Sequence, residues 1–100
     1  MQQILAVLTD VFEPLTNAYV VLSDKGLAVS IAGHPEYSAW LTEAAQDAYP
    51  GPAHGGRDAW MANYAAYRLK PTAMMVMDHE LEELVPVDPL DLVAANRFDR

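Results

Sequence analysis

The stretch Tyr19–Ala32, with the sequence YVVLSDKGLAVSIA, decides the fold. Two runs rich in β-branched and aliphatic residues flank the short segment Asp24-Lys25-Gly26. A three-residue connection that ends in glycine is typical of a β-hairpin, because glycine readily takes the left-handed conformation that such a turn requires. The sequence therefore predicts an antiparallel hairpin over residues 18–32, with Gly26 in the left-handed position.

The apolar N-terminal segment before this hairpin is compatible with two structures. Its apolar residues recur at the spacing of one helical face: Ile4, Leu5, Val7, Leu8, Val11, Phe12 and Leu15. This periodicity predicts a helix that Pro14 ends or kinks, since proline has no N–H to donate. A buried strand over Ile4–Leu8 is the alternative.

Two helices are predicted between the hairpin and residue 71. Pro35 suits the first position of a helix, and the charge of Glu36 is favoured near its N-terminus. This helix ends before Pro50, and a second one runs from about Asp58 to Leu69, before Pro71. Both carry aromatic residues on one side.

The last third of the chain begins apolar and becomes acidic. Residues 72–77 lack polar alternation and predict a short buried strand. Asp78 is expected to cap a short helix through Val85, and Asp88 to cap another that begins at Pro89. The expected fold is therefore α+β: a small antiparallel sheet, made of the hairpin and one further strand, packed against three to four helices.

Composition narrows the class of protein. The chain has 100 residues, of which 52% are hydrophobic, so we expect one compact domain over residues 1–100 with an acidic C-terminal third at 71–100. Its formal net charge of -8 argues against direct binding of nucleic acid. The absence of cysteine excludes disulfides, thiolate metal sites and a thiol nucleophile. No apolar stretch is long enough to cross a membrane.

The N-terminal residues and the amino-acid composition predict a compartment and an origin. The first positively charged side chain is Lys25, so the N-terminus lacks the basic region of a signal peptide and a cytoplasmic protein is expected. Sixteen alanines, with four arginines against two lysines, are typical of a GC-rich bacterial, phage or plasmid gene.

No complete catalytic constellation is visible in the sequence. The run His54-Gly55-Gly56-Arg57 resembles a glycine-rich oxyanion loop, but no serine has the Gly-x-Ser-x-Gly context that an esterase needs. We therefore expect a protein without enzymatic activity and without a cofactor. One alternative is a small divalent-metal-dependent enzyme, whose ligands or general base would be Asp78, His79, Glu80 and Glu83.

Tyrosines and acids suggest binding to another macromolecule. The two helices predicted between the hairpin and residue 71 hold more aromatic rings than one helix pair needs inside, and exposed tyrosine is a common interface anchor. Trp40 and Trp60 are expected to anchor the core between these two helices. The expected partner-binding residues are Tyr37, Tyr64, Tyr67, Asp78, Glu80, Glu82, Glu83, Asp88 and Asp91.

The leading hypothesis is thus a small acidic interaction protein that binds and modulates or blocks another macromolecule. One concrete form is a phage- or plasmid-encoded inhibitor aimed at a basic, nucleic-acid-handling protein complex, whose groove would accept carboxylates in place of phosphates. Another alternative is a homo-oligomeric assembly subunit, in which Met74, Met75 and Met77 supply an adaptable apolar contact if their strand lies at a sheet edge.

Overall fold

The computed structural model describes residues 2–52, 55–96 and 98. The elements are, in chain order, β1 (Gln3–Thr9), β2 (Asn17–Ser23), β3 (Gly26–Ile31), α1 (Pro35–Ala48), α2 (Arg57–Leu69), β4 (Ala73–Asp78), β5 (Glu83–Val87) and α3 (Pro89–Asn96). The α+β class is confirmed. The described residues form one antiparallel sheet of five strands, where three were predicted, together with three helices. None of these helices is long and apolar enough to span a membrane.

The N-terminal segment is a strand in the middle of the sheet, so the predicted helix is wrong and the alternative strand is confirmed. The strand order is β3-β2-β1-β4-β5, and β1 pairs with both β2 and β4. A shift in register between Ile4 and Ala6 inserts Leu5 as a bulge. Pairing on two sides satisfies the backbone along the strand, and this outweighs the helical spacing of the apolar residues.

The acidic segment after β4 forms a turn and a fifth strand instead of the predicted helix. Asp78 Oδ1 accepts hydrogen bonds from the backbone N–H groups of Glu80 and Leu81, at 2.9 and 3.1 Å. Glu82 then adopts a left-handed conformation with φ 56°. Asp78 therefore caps a tight turn, and Pro86 in the strand that follows has no N–H with which to continue a helix.

Helix α1 covers the outer edge of β3 with three polar side chains spaced four residues apart. The backbone N–H groups of Ile31 and Val29 donate to Ser38 Oγ and Thr42 Oγ1, each at 2.9 Å. Gln46 Nε2 donates to the Leu27 carbonyl at 2.9 Å. These bonds satisfy backbone groups that an edge strand otherwise exposes, so this edge is closed to further strand pairing.

The core lies between one side of the sheet and the helices α1 and α2. Its buried residues include Ala6, Leu8, Ala18, Val20, Val29, Ile31 and Met74 from the strands, and Leu41, Ala45, Met61, Ala65 and Leu69 from the helices. Tyr49 at the end of α1 contacts Trp60 near the start of α2, while Trp40 contacts Arg68 near the end of α2. The two helices therefore run antiparallel across the sheet.

Candidate functional site

A row of aromatic rings crosses the solvent-exposed side of α1. The ring of Trp40, which is 50% exposed, stacks on Tyr37 with 5.3 Å between centroids and 26° between planes. Tyr37 in turn meets the edge of Phe12, from the segment after β1, at 5.4 Å. Phe12 is 49% exposed and also contacts the ring of His34 at 4.9 Å. Large apolar rings are thus held in fixed positions while facing solvent.

Arg68 of α2 extends this row. Its guanidinium carbon lies 5.7 Å from the ring centroid of Trp40, 5.4 Å from that of Tyr64 and 5.7 Å from that of Tyr67. These distances are in the range of cation–π attraction. We refer to Phe12, Tyr37, Trp40, Tyr67 and Arg68 together as the aromatic ridge.

The charge of Arg68 is stabilised by a tyrosine. Arg68 Nε donates a hydrogen bond to the Tyr64 hydroxyl at 3.0 Å, and this bond raises the pKa of Arg68 above its ordinary value. No carboxylate of the described residues forms an ion pair with it. Arg68 therefore presents a permanent positive charge that no acid of the described chain neutralises.

Tyr64 itself lies beneath the ridge. Its ring is only 6% exposed and stacks on Trp60, which is equally buried, with 5.1 Å between centroids. Phe98 packs with its edge toward both rings, at 5.3 Å from Trp60 and 5.6 Å from Tyr64. The predicted core position of Trp60 is confirmed. Of the three predicted tyrosines, Tyr37 and Tyr67 lie in the ridge and Tyr64 supports it from within.

The prediction that Trp40 anchors the core is wrong. The residues of α1 that face the sheet are Ser38, Leu41 and Ala45, which are buried. At about 100° per residue, Trp40 lies on the opposite side of the helix, where Glu36, Glu43 and Asp47 are also found. A tryptophan that shares a helical face with three acids is the sequence feature that indicates its exposure.

Acidic side chains border the ridge on α1. Glu36 and Glu43 are both exposed, and they are the neighbours of Trp40 at four residues before and three residues after it. The ridge therefore combines aromatic rings, the exposed cation Arg68 and a negatively charged border.

The predicted acids of the β4–β5 turn are not brought to the ridge. His79 Nε2 lies 3.6 Å from Asp58 Oδ2, which places this turn beside the first residues of α2. Arg68 stands ten residues further along the same helix, a rise of about 15 Å. Asp78, Glu80, Glu82 and Glu83 therefore form a separate acidic region at the other end of α2.

The two remaining predicted acids lie at α3. Asp88 caps this helix, since its Oδ1 accepts the N–H of Leu90 at 2.9 Å. It also lines a cavity of about 510 Å³ together with Tyr67 and Lys70. Asp91 is exposed in the first turn of α3. Asp88 thus shares a cavity with Tyr67, a residue of the ridge.

The four residues of the alternative metal site do not assemble into one. Asp78 Oδ1 is engaged by two backbone N–H groups of the turn, and His79 is directed to Asp58. Among the described residues no group of three His, Asp or Glu side chains is arranged to hold a metal ion. The metal-dependent alternative therefore gains no support from this geometry. His54, in the glycine-rich run, lies outside the described residues.

No protein-family model matches this chain, and neither a curated protein nor a solved structure matches it significantly. The interpretation of the ridge therefore depends on its own chemistry.

Proposed function

We propose that this chain is a protein-interaction module that binds a basic protein partner through the aromatic ridge. The observation that carries the proposal is Arg68, held among three aromatic rings beside a half-exposed Trp40. Tryptophan, tyrosine and arginine are the residue types enriched among those that dominate binding energy at protein interfaces. The ridge places all three side by side on one surface.

The ridge is organised before any partner arrives. Arg68 is fixed by the Tyr64 hydroxyl and Trp40 by its stack on Tyr37. Binding therefore immobilises few side chains that were free beforehand, which reduces the entropy lost on association. A partner that covers Trp40 would bury a large apolar ring at low conformational cost.

The charge around the ridge favours a basic partner. Glu36 and Glu43 border Trp40, and the whole chain carries a formal net charge of -8. A field of this sign accelerates the encounter with a positively charged surface, most strongly at low salt. We expect the partner to place an apolar or aromatic side chain over Trp40 and Lys or Arg side chains toward the acidic border.

A more specific form of this proposal is an inhibitor, encoded by a phage or plasmid, of a nucleic-acid-handling complex. Proteins that hold nucleic acid present basic grooves, and an acidic domain of this size can occupy such a groove in place of phosphates. The acids of the β4–β5 turn would contribute to this attraction from beyond the ridge. The overall charge supports this form, and the identity of the captured partner tests it.

The experiment is a quantitative capture from host-cell lysate with tagged chain and matched variants. Trp40→Ala and Arg68→Ala each remove one exposed side chain of the ridge, and each should reduce capture of the partner at least tenfold. Leu81→Ala is the control, because Leu81 is 60% exposed in the β4–β5 turn and lies outside the ridge. Circular dichroism verifies that all three fold. If both ridge variants captured the partner as well as the unmodified chain does, the proposal would be contradicted.

The salt dependence of capture tests whether the partner is basic, independently of whether the ridge binds it. Capture that weakens steadily between low and high salt supports a basic partner, as expected for exposed charges. A partner lost on Trp40→Ala but indifferent to salt would keep the ridge as the binding site and reject the basic character of its ligand.

A further inference from the structure

The loop between β1 and β2, residues 10–16, holds a leucine at a position that normally belongs to glycine. The backbone N–H of Thr16 donates to the Glu13 carbonyl at 3.1 Å, and Pro14 follows Glu13. Leu15 comes next and has φ 71°. A β-turn with proline at its second residue and a positive φ at its third is type II, which favours glycine or asparagine at that third position. Leu15 therefore carries a steric penalty that either of these residues would avoid.

The side chain of Leu15 does not contribute to the packing of the chain. It is 92% exposed, more than any other large apolar residue of the described chain. A single exposed leucine is common on protein surfaces. An exposed leucine that is also strained is unusual, because glycine would relieve the strain without any loss of buried surface. Strained residues cluster at sites that contact a ligand or a partner.

The methionines of β4 do not share these features. The oligomeric alternative requires Met74, Met75 and Met77 to lie at a sheet edge, but β4 lies between β1 and β5. Met74 is buried, and Met75 pairs with Val7 in regular strand register. The condition for a methionine contact at an edge is therefore not met, and no residue of β4 has a positive φ.

Hydrogen bonds hold the β1–β2 loop in place. Asp10 Oδ1 accepts the N–H of Leu15 at 2.7 Å, and Asp10 Oδ2 accepts the hydroxyl of Thr72 at 3.1 Å. The N–H of Val11, a buried residue, donates to the Thr16 carbonyl at 3.0 Å. Leu15 is thus presented to solvent on a fixed backbone, so little conformational entropy is lost when a partner covers it.

The loop is continuous with the aromatic ridge. Phe12, three residues before Leu15, belongs to the ridge and contacts Tyr37. Three residues of extended chain span about 11 Å at most. An interface of standard size covers about 800 Å² of each partner, a patch roughly 30 Å across. A partner that covers Phe12 and Trp40 therefore has the reach to contact Leu15.

The charge of the loop fits the partner that is proposed for the ridge. The loop contains Asp10 and Glu13 and no basic residue, and Glu13 is exposed. A basic surface that approaches the ridge is attracted by these carboxylates as well as by Glu36 and Glu43. Leu15 is an apolar side chain within this acidic surroundings, so it requires an apolar pocket on a surface that is otherwise basic.

We propose that Leu15 is an anchor residue that enters an apolar pocket of the basic partner bound by the ridge. This inference rests on the proposed function and adds a residue outside the ridge that selects the partner. Burial of an exposed leucine strengthens binding by about tenfold or more. A basic protein that lacks such a pocket meets Leu15 as an obstacle, and this discriminates against it.

The test combines thermal melts with capture of one defined protein, the protein in host-cell lysate whose retention Trp40→Ala abolishes. Leu15→Gly and Leu15→Asn introduce residues that accept a positive φ. Leu15→Gly should raise the melting temperature by about 2–8 °C. Leu15→Asn should raise it as well, and both variants should reduce capture by about tenfold or more. A residue with a structural role alone would not combine higher stability with weaker binding.

Lys70→Gly is the matched control. Lys70 also has a positive φ, of 50°, but it lies outside both the ridge and the β1–β2 loop. This variant should raise the melting temperature to a similar extent and leave capture within twofold of the unmodified chain. Higher stability by itself would then be excluded as the cause of weaker binding.

Three results would overturn the inference. If Leu15→Gly melts at a lower temperature than the unmodified chain, the leucine supports the fold and is not strained. If both Leu15 variants melt higher but capture the protein unchanged, Leu15 is not an anchor, while the ridge stands because Trp40→Ala still abolishes capture. If no protein in the lysate depends on Trp40, the proposed function fails and this inference fails with it.

Discussion

The guanidinium carbon of Arg68 lies 5.7 Å from the ring centroid of Trp40, and this contact joins the last turn of α2 to the first half of α1. A cation over a tryptophan face contributes about 0.5–1 kcal/mol at an exposed site. Its larger consequence is spatial, because Arg68 also contacts Tyr64 and Tyr67. The residues of the ridge therefore behave as one unit, and changes to neighbouring members should not be additive.

The hydroxyl of Tyr64 can be tested separately from its ring. Tyr64→Phe keeps the stack on Trp60 but removes the acceptor of the Arg68 Nε hydrogen bond. We expect the free energy of unfolding to fall by about 1 kcal/mol. Partner affinity should fall roughly fivefold, which corresponds to about 1 kcal/mol of binding free energy. The reason is that Arg68 is no longer held in position for the partner. Urea denaturation and calorimetric titration measure the two effects.

Tyr67→Phe is the matched control for this change. No hydrogen bond of the Tyr67 hydroxyl to another described residue is present, although its ring contacts Arg68 and Phe98. Partner affinity should therefore stay within twofold of the unmodified chain. Equal losses from the two variants would show that the hydroxyl of Tyr64 does not position Arg68.

The two tryptophans should differ in their contact with solvent. Trp40 is 50% exposed and Trp60 is 6% exposed. Trp40→Phe should therefore remove most of the red-shifted fluorescence that acrylamide quenches and leave an emission that is protected and blue-shifted. Binding of the partner to the unmodified chain should protect the same component. An unchanged quenching constant in Trp40→Phe would contradict the exposed position of this ring.

The polar side chains of α1 should matter for stability because they satisfy an edge strand. Ser38 Oγ accepts the Ile31 N–H at 2.9 Å and donates to the His34 carbonyl at 2.7 Å. Ser38→Ala leaves that buried N–H without an acceptor, which costs about 1–3 kcal/mol. Urea denaturation should show this loss. The control Ser30→Ala changes an exposed serine of the same strand, and an equal loss there would refute the explanation.

Several parts of the fold could be predicted from short-range sequence features. The hairpin at Gly26, which has φ 106°, follows from local turn chemistry. The start of α1 at Pro35 and the cap of α3 by Asp88 are likewise local effects. Each depends on residues within a few positions of one another, so the sequence alone contains the necessary information.

The remaining parts depend on contacts between distant residues. The apolar spacing of residues 4–15 fits a helix as well as a strand, and pairing of Val7 with Met75 decides between them. Glu83–Val87 becomes a strand because β4 offers an edge. The sequence predicts Tyr37 and Tyr67 of the ridge as binding residues. It does not predict the contact of Arg68 with Trp40, because that contact depends on the antiparallel packing of two helices. The size of Trp40 favours a place in the core, whereas its acidic neighbours on the same helical face, Glu36, Glu43 and Asp47, indicate exposure.

Two residues with positive φ should respond in opposite directions to substitution. Lys70 ends α2 in the left-handed conformation, with φ 50°, where glycine has no steric cost. Lys70→Gly should raise the free energy of unfolding by about 0.5–1 kcal/mol. Gly26→Ala should lower it by about 1 kcal/mol or more, because φ 106° is unfavourable for a side chain. Thermal melts decide both, and a stabilising Gly26→Ala would contradict the turn geometry.

The most direct test of the ridge as a binding site is site-specific photo-cross-linking in host-cell lysate. A photoreactive amino acid replaces Glu43, which borders Trp40, or Leu81, in the β4–β5 turn at the far end of α2. We predict that one basic protein cross-links strongly from position 43 and weakly from position 81, and that Arg68→Ala abolishes the product from position 43. A partner that cross-links from position 81 alone, or whose yield at position 43 is unaffected by Arg68→Ala, would contradict the account.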